Sequence, residues 1–465
     1  MKLRVQVVIE AEDGTQERVV EVACLERSTL QAETLGLTLA EAKGLLADVQ
    51  QVLVPQQVAE YVAHQRYCPD CGRARATKGQ HAIVIRSLFG RLQVPSPRFY
   101  ACPCQPRAMA SVSPVAALLP ERTTPELRYL AVKAAALASY GRAVGWLEEV
   151  LPLGGQLSTT ALRRHVTAVA ERLDGELGDV EPTIAGCPAD WERLPDPDGP
   201  LTVGLDGGYV PARRGECRQA TAFEAIIGKS VTAAGAATCF GFVQSDDAQP
   251  RQRLVAVLQA QGMQMNQQIT FLSDGGDNVR DLPLYLNPQA EHILDWFHVT
   301  MRLTVMGQMA KGVRSRDDPA LTTDLQATLE RLKWYLWHGN VFRALQVIDD
   351  LVWDLEGLEG SGEARNLCEV VHEFGTYVGV NRAFIPNYGE RYRYGETIST
   401  AFVESTVNQV MSKRMAKKQQ MRWTRRGAHR LLQVRTRVLD GALRGVFRRW
   451  YPAMASEDRA VTQAA

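Results

Sequence analysis

Residues 201–210 read LTVGLDGGYV, an apolar run that reaches an aspartate and is followed at once by two glycines. The next two segments, ATAFEAIIGKSV (220–231) and TCFGFVQSD (238–246), are also apolar and β-branched. Together they predict three successive strands in an antiparallel meander. A helical segment and two more apolar strands are predicted after them, QRLVAVLQAQGM (252–263), QITFLSD (268–274) and EHILDWF (291–297). The order predicts an α/β domain.

A second Asp-Gly-Gly sequence follows the strand QITFLSD, so that FLSDGG (271–276) has the same form as VGLDGG (203–208). In each, an apolar strand is predicted to end at an aspartate, and the glycines then turn the chain away. Asp206 and Asp274 would therefore lie where the backbone opens for a metal ion. Aspartate before glycine is also ordinary turn chemistry, and it is the repetition after two buried strands that favours a functional pair.

A third acidic residue is needed to hold a pair of ions, and Glu404 in AFVESTVNQVMSKRM (401–415) is our candidate. A helix here would put Asn408 one turn later on the same face. Spacing alone does not distinguish Glu404 from Glu390 or Glu396, and a solvated helix glutamate is the alternative. Three carboxylates suit Mg²⁺ or Mn²⁺, which prefer oxygen ligands, and two such ions can support an in-line phosphoryl displacement.

The sequence Asp295-Trp296-Phe297-His298 is predicted to end a strand and begin a helix. Asp295 would cap the N-terminus of that helix, and His298 would lie in its first turn. A direct role of both residues at the acidic site, through contact with a scissile phosphate, is the second interpretation.

Four of the nine cysteines lie within 37 residues. Cys68-Pro-Asp-Cys71 and Cys102-Pro-Cys104 are separated by a strand-like segment that predicts a hairpin. Two thiolate pairs on two turns can close a tetrahedral Zn²⁺ site, and four protein ligands leave no position open, so this zinc would be structural. Unliganded thiols in a loop are the alternative. The other five cysteines are isolated and are interpreted as ordinary small residues.

A helix-turn-helix is predicted between residues 125 and 175, with a turn at Leu153-Gly154-Gly155. Ser158 or Thr159 would cap the next helix. That helix carries Arg163, Arg164 and His165 on its early face, as a recognition helix in the major groove would. A plain helical packing unit is the alternative.

The charge of the chain is unevenly distributed. Its net charge is +1, yet residues 411–450 contain 13 Lys and Arg against Asp440, which gives +12 there and −11 elsewhere. Such a basic segment favours contact with a polyanion, and its binding should weaken with salt. The residues predicted to contact DNA here are Lys413, Arg414, Lys417, Lys418, Arg422, Arg425 and Arg426, together with Asn408. Trp423 would either stack on a displaced base or pack in the core.

Composition and length predict a globular protein of several domains, because 465 residues exceed one ordinary domain and 45% of them are hydrophobic. No apolar run approaches a membrane span, and the N-terminus MKLRVQVVIEAEDG lacks a signal-peptide pattern, so we expect a cytoplasmic protein. The predicted boundaries are 1–65 (strands and helix), 66–110 (zinc ribbon), 111–194 (helix-turn-helix), 200–309 (core, first part), 310–395 (helical insertion), 396–450 (core, last helices and basic tail) and 451–465 (flexible end).

The motifs VGLDGG, LSDGGDN, DWFH, FVESTVNQVMSKRM and MRWTRRGAHRLLQVRT occur in an order that resembles the DDE transposases of bacterial insertion sequences. The similarity is greatest to the ISKra-like group and more distant to Mutator-like enzymes, and it extends from the cysteine cluster to about Arg437. It implies an RNase H-like fold with a mixed five-stranded sheet and an all-helical insertion before the last acidic residue. Asp206 and Asp274 match the catalytic aspartates of that family, and Glu404 matches its glutamate. Asp295 and His298 match a D-x-x-H signature near the active site.

The resemblance also implies the reaction and the partners. Water would cut at the element's end, and the released 3′-hydroxyl would attack target DNA, with Asp206 bridging both ions and Asp274 and Glu404 each binding one. The partners would be double-stranded DNA, namely terminal inverted repeats and target, and a second copy of the chain, because two ends must be held together. A DNA-binding regulator that keeps the fold without cutting, and a nuclease on the same fold, are the alternatives.

Overall fold

The computed structural model describes residues 1–10, 17–104, 111–178, 188–191, 193–215, 221–276, 290–314, 319–358, 362–416 and 421–454. The chain divides into two compact units, one formed by Met1–Val169 with Gly441–Ala465 and the other by Ala170–Asp440. None of the helices in the described ranges combines the length and apolarity that crossing a membrane would need.

The first unit contains two small antiparallel sheets and several helices. Its strands are β1 (Lys2–Glu10), β2 (Glu17–Glu26), β3 (Thr77–Ser87), β4 (Gly90–Tyr100) and β5 (Ser111–Val112). Its helices are α1 (Leu39–Gln65), α2 (Pro114–Leu118), α3 (Pro125–Leu137), α4 (Tyr140–Val150) and α5 (Thr159–Gly175), whose last turns belong to the second unit. The predicted strand pair followed by a long helix at the N-terminus is confirmed, since β1 pairs with β2 and α1 follows.

The helix α1 begins at a capping box, in which Thr38 and Glu41 satisfy each other's backbone amides. Its apolar side packs on the β3–β4 hairpin, where Val58 lies in one buried cluster with Ile83, Ile85, Leu92 and Val94. The alternation of exposed and buried residues along β4 is the pattern of a strand with one face on a core.

The second unit is built on a five-stranded mixed sheet in the order β10-β9-β6-β7-β8. Its strands are β6 (Leu201–Pro211), β7 (Ala222–Thr232), β8 (Ala237–Phe242), β9 (Ile269–Ser273) and β10 (Ala290–Leu294). The pairs β6–β7 and β7–β8 are antiparallel, which confirms the predicted meander, whereas β9 is parallel to both β6 and β10. The α/β character and the mixed five-stranded sheet expected from the sequence are therefore present.

The helices of this unit cover the sheet and extend from it. They are α6 (Pro188–Trp191), α7 (Pro250–Ala260), α8 (Trp296–Ala310), α9 (Leu321–Trp337), α10 (Val341–Glu356), α11 (Gly362–Val380), α12 (Tyr388–Arg393), α13 (Ala401–Val407) and α14 (Arg425–Leu439), with a π-helix at Asn408–Ala416. Helix α7 packs on one sheet face through Leu254, Val257 and Leu258. Helices α8 to α11 form a separate apolar cluster, so the predicted helical region before Gly395 is confirmed.

The strand β6 differs from the prediction. It does not end at Asp206, because Gly207 and Gly208 continue it in antiparallel pairing with β7. Glycine and aspartate mark turns in isolation, while a neighbouring strand that offers a hydrogen-bond ladder can extend pairing through them. The strand in EHILDWF ends at Leu294 and α8 begins at Trp296, which confirms the predicted change from strand to helix at Asp295.

The last helix, α15 (Leu443–Trp450), belongs to the first unit rather than to the unit that carries the sheet. Its Phe447 ring meets Tyr129 of α3 edge to face at 5.5 Å, and Arg444 binds Glu126 at 2.7 Å. Residues 441–450 were predicted to belong to the last helices and basic tail of the core. The buried apolar side of this short helix, hidden in a basic sequence, explains the difference.

Candidate metal and acidic sites

The four predicted zinc ligands lie together in the first unit. Their Sγ atoms are all within 4.8 Å of one another, with Cys68–Cys104 at 3.5 Å and Cys71–Cys102 at 3.4 Å. A tight turn presents the first pair, since Gly72 N donates to Cys68 O and Cys68 N donates to Arg73 O, both at 2.9 Å. The β3–β4 hairpin returns the chain so that the second pair meets the first.

The chemistry of this cluster fits Zn²⁺. A tetrahedral ion bound at about 2.3 Å by four thiolates separates the sulfur atoms by about 3.8 Å, close to the spacing found. Burial alone would raise the pKa of the Cys68 thiol, but hydrogen bonds from the backbone of Asp70 and Cys71 outweigh burial and lower it to about 6. A thiol that loses its proton near neutral pH is suited to bind a metal ion. The cluster is therefore compatible with a closed, structural zinc site.

The acidic site lies in the second unit, on the sheet face opposite α7. Gly204, Asp206 and Gly208 alternate with residues of the α7 core, so their side-chain positions share this face. Helix α13 and the π-helix cross β6 there. A Cβ on Gly204 would lie 2.1 Å from Val403, and one on Gly208 would lie 2.1 Å from Met411. The glycines around Asp206 therefore allow close approach of the helix and do not turn the strand.

Asp295 is fully buried and organises the strand-to-helix junction next to Asp206. Its carboxylate caps α8 by accepting from Phe297 N at 2.9 Å, which confirms the predicted N-cap. It also accepts from Thr400 N at 3.0 Å and from the Thr400 hydroxyl, and it contacts His298 Nδ1 at 2.7 Å. These contacts lower the pKa of Asp295 although its burial acts in the opposite direction. Asp295 thus ties α8 to the residue that precedes α13.

His298 is held by Asp295 through Nδ1 and feels the charges of both predicted catalytic aspartates. Burial disfavours its charged form, but Asp295, followed by Asp206 and Asp274, outweighs burial and raises the pKa of His298. The ring is about one-fifth exposed. A partly exposed imidazole with one nitrogen fixed by a carboxylate can donate from its other nitrogen to an anionic ligand.

Asp206 has the most perturbed carboxylate of the site. Burial raises the pKa of Asp206 to about 6, the charge of His298 opposes that rise, and the charges of Asp274 and Asp295 add to it. Burial and like charges disfavour the charged form of this acid, and a bound cation would stabilise that form.

The loop that carries Asp274 is clamped by the helical insertion. Tyr377 of α11 donates its hydroxyl to Asp274 O at 3.0 Å, and Gly276 N donates to Asp274 Oδ1 at 3.0 Å. Gly275 has a φ of +80°, and a Cβ there would lie 2.7 Å from Asn381 Oδ1. Glycine is therefore required at this turn for conformation and for space.

Glu404 lies in the first turn of α13, one residue after the Val403 that packs on Gly204, and its own side chain is exposed. Within the described residues, the four cysteines are the one group of three or more His, Cys, Asp or Glu whose ligand atoms all lie within 4.8 Å. Asp206, Asp274 and Glu404 thus do not form such a group. The role of Glu404 stays a prediction.

Two residues expected to face DNA lie in the interior instead. Arg414 is fully buried and Trp423 is 5% exposed, and the guanidinium lies 5.2 Å from the centre of the indole ring. Trp423 also bridges to Ala212 after the end of β6, with Trp423 N donating to Pro211 O at 2.9 Å. The core-packing interpretation of Trp423 is the one the structure supports. The cation–π contact with Trp423 explains how Arg414 is buried beside this ring.

The remaining basic residues are divided between surface and interior. Among those predicted to contact DNA, Lys413, Arg422 and Arg426 are exposed, as is Asn408, while Arg425 is half-buried. Lys417 and Lys418 lie outside the described residues. Arg435, not predicted, is buried and donates to the carbonyls of Val410 and Gln409 in the π-helix. Part of the basic excess therefore stabilises the fold.

The helix-turn-helix residues lie in the first unit. Gly154 and Gly155 have positive φ in the turn, and the Ser158 hydroxyl accepts from Ala161 N at 3.1 Å, which confirms the predicted cap of α5. Arg163 and Arg164 are exposed. His165 is half-buried, and burial with the charges of Arg128 and Arg86 lowers its pKa to about 4, so it brings no positive charge at neutral pH.

Tyr377 and Arg302 were not found from the sequence. The Arg302 guanidinium lies 4.3 Å from the centre of the Tyr377 ring, beside the Asp274 loop. Arg302 lies one helical turn after His298, so an i+4 pattern could have placed it near the site. Nothing in the sequence pattern marks Tyr377.

No family model matches this chain, and no curated protein matches it.

Proposed function

We propose that this chain is a DDE-type DNA transposase, with an RNase H-like core, that cuts DNA at insertion-sequence ends and joins it to target DNA. The observation that supports the proposal most directly is the grouping of Asp206, Asp274, Asp295 and His298, in which the charges of the other three residues act on the pKa of Asp206, and those of the three aspartates on the pKa of His298. A carboxylate such as Asp206, whose charged form is disfavoured and which lies on the face of a mixed sheet, is suited to bind a hard cation.

Within this proposal the residues have distinct tasks. Asp206 and Asp274 supply oxygen ligands for Mg²⁺ or Mn²⁺, and Glu404 supplies the third from the helix that crosses β6. The bound ions would stabilise charge on the attacking and leaving oxygens of a phosphoryl transfer. Asp295 positions His298, which donates a hydrogen bond to a phosphate oxygen, and Tyr377 fixes the Asp274 backbone.

The DNA contacts of the proposal use exposed cations. Arg163 and Arg164 would contact the element's terminal repeat, and Lys413, Arg422 and Arg426 would contact phosphates near the cut. A second copy of the chain would hold the other element end. A structural zinc at the four cysteines would keep the hairpin of the first unit folded.

The test incubates the purified chain and Mg²⁺ with the DNA that flanks its own coding region, and separates the products on a denaturing gel. We expect cut ends and strand-transfer products. Asp206→Asn, Asp274→Asn and Glu404→Gln should each lower cutting about 10³-fold or more, which corresponds to about 4 kcal/mol of barrier, while DNA binding remains.

The matched controls are Asp350→Asn and Glu373→Gln, which remove exposed carboxylates from α10 and α11. Both should cut at the wild-type rate. Products that persist in Asp206→Asn would refute the assignment of the acidic site. A wild-type chain that only shifts the DNA would support a regulator, and one that cuts without joining would support a nuclease.

A further inference from the structure

A groove of about 920 Å³ opens on the sheet face that carries Asp206. Its floor contains Thr202 of β6 and Thr270 of β9, which pair directly across these parallel strands. Thr202 lies four residues before Asp206 in the same strand, so the two side chains share one face. The chain from Arg391 to Phe402, which leads into α13, forms one wall.

Lys229 supplies a positive charge to this groove. It is paired with Gly204 in the register of β6 and β7, so its side chain leaves the sheet on the same face as Asp206. Its charge acts on Asp440, but the ion pairs found among the described residues do not include it. Arg391 on the wall differs, because it binds Glu291 and Glu396. Lys229 can therefore bind an anionic ligand without breaking an ion pair found among the described residues, whereas Arg391 cannot.

The rim of the groove carries an exposed aromatic ring. Tyr394 is 77% exposed and lines the groove directly after α12. Hydroxyls on the floor, a cation beside them and an accessible ring at the rim are the combination with which proteins bind single-stranded nucleic acid, since phosphates meet the polar groups and a base stacks on the ring.

The position of the groove relates it to the acidic site. Thr202 and Asp206 are four residues apart in one strand, so their Cα atoms are separated by about 13 Å. At about 3.4 Å per stacked nucleotide, that distance covers at most about four nucleotides. Phe402 and Val403 pack over Gly204, which lies between Thr202 and Asp206 in β6. On the outer side of the same first turn of α13, Glu404 is exposed.

We propose that this groove binds the single strand of DNA adjoining the phosphate that is cut, with Lys229 on a backbone phosphate and Tyr394 under a base. The strand would pass over the exposed first turn of α13 to reach Asp206. This inference rests on the proposed transposase function. It adds a binding site for a few nucleotides beside the position of cutting.

The experiment measures binding without cutting. The full, zinc-loaded chain is titrated, without added Mg²⁺ or Mn²⁺, against a fluorescent duplex from the DNA that flanks its coding region, carrying a single-stranded thymidine extension of 0, 2, 4, 6 or 8 nucleotides. We expect the extension to tighten binding about five- to tenfold, the lower range for one stacked base, and the gain to stop growing at about four to six nucleotides.

Two variants test the assigned contacts. Lys229→Gln should abolish the gain and lower the dependence of log Kd on log salt by about 0.7, the value for one phosphate contact to a single strand. Tyr394→Ala should reduce the gain about fivefold. Because the Tyr394 side chain is exposed, its removal should not unfold the chain. Lys311→Gln and Tyr392→Ala are the matched controls, since both residues are exposed and neither lines the groove.

An extension that does not tighten binding of the wild-type chain would overturn the inference. A gain and a salt dependence that survive in both Lys229→Gln and Tyr394→Ala would also overturn it. The two proposals fail separately. A chain that binds the extension through Lys229 but never cuts DNA contradicts the transposase function, whereas one that cuts DNA without any extension effect contradicts only the groove.

Discussion

The four cysteines and the three predicted catalytic carboxylates are both expected to bind metal, and the fold brings them together to different degrees. The cysteine sulfurs lie within 4.8 Å of one another, while Asp206, Asp274 and Glu404 do not form such a group. One cysteine pair precedes β3 and the other follows β4, so the pairing of these two strands brings both pairs to the open end of the hairpin. The carboxylates come from a strand, a loop and a helix that are far apart in the chain, and their like charges repel.

This difference is the one we expect if the local fold assembles the cysteine site and if, as we propose, the carboxylates approach one another fully only when they bind metal ions. A cluster of thiols, in which Cys68 loses its proton readily and shares a hydrogen bond with Cys104, carries little like-charge repulsion. Carboxylates in a partly buried site come close together only when a cation or a proton compensates their charge. Burial raises the pKa of Asp206 to about 6 and the charges of Asp274 and Asp295 add to that rise, so its charge is not compensated. Four predictions test the contrast, beginning with the largest effect.

Loss of one cysteine ligand should unfold the hairpin of the first unit. Cys102→Ser removes a buried ligand, and structural zinc contributes a binding free energy of about 10 kcal/mol or more to folding in small zinc domains. We expect one zinc per wild-type chain by elemental analysis and none in the variant, with a large fall in thermal stability. Cys24→Ser, at an isolated exposed cysteine of the same unit, is the control. Equal melting of the two variants would contradict a structural zinc.

Removal of the Asp295 carboxylate should have the next largest effect on stability. Asp295→Ala loses the cap of α8, both contacts to Thr400 and the contact to His298. Several buried hydrogen bonds to a charged group, at roughly 1 kcal/mol each or more, predict a loss of about 3–5 kcal/mol in urea unfolding. His298→Ala removes one of these four contacts and should cost less, about 1–2 kcal/mol, while lowering cutting. A larger stability loss in His298→Ala than in Asp295→Ala would refute this division of roles.

The sequence predicted elements with a clear period and missed features decided by a distant partner. The meander, β9 and the insertion helices follow from apolar alternation and helical spacing. The strand β6 continues through Asp206 because β7 pairs with it along its whole length. Gly204 and Gly208 leave the space in which Val403 and Met411 pack on the strand. The hydroxyl of Tyr377 reaches the Asp274 loop from 103 positions away, and no local pattern encodes such a contact.

Asp206→Asn should stabilise the chain when no Mg²⁺ or Mn²⁺ is present. The pKa of Asp206 in the folded chain is about 6, above the ordinary 3.8, so the folded state binds this proton more tightly. The cost of its charge is therefore absent below about pH 4 and complete above about pH 7, and stability falls as the pH rises through this window. After a discount for partial exposure, we expect the variant to gain about 1–2 kcal/mol at pH 8 without added Mg²⁺ or Mn²⁺.

The same variant distinguishes a ligand-dependent site from an ordinary buried acid. Addition of Mg²⁺ at pH 8 should stabilise the wild-type chain and not Asp206→Asn, because bound ligand favours the folded state. Asp350→Asn, at an exposed position, should follow the wild type at every pH. A wild-type chain that is more stable than Asp206→Asn at pH 8 without added Mg²⁺ or Mn²⁺ would contradict the raised pKa.

The smallest effect is a change in salt dependence at Lys413, which the sequence does not distinguish from the adjacent Arg414. Lys413 is exposed, whereas Arg414 is buried against Trp423. Lys413→Gln should lower the dependence of log Kd on log salt for duplex DNA by about 0.9, the contribution of one phosphate contact, with stability unchanged. Arg414→Gln should leave the salt slope unchanged but destabilise the chain by about 2 kcal/mol or more, because it removes a buried cation–π contact.

Equal salt slopes for Lys413→Gln and the wild type would show that Lys413 does not contact DNA. A reduced slope for a folded Arg414→Gln would show that Arg414 leaves the core to contact DNA. The comparison thus decides, residue by residue, how much of the basic segment binds DNA and how much stabilises the fold.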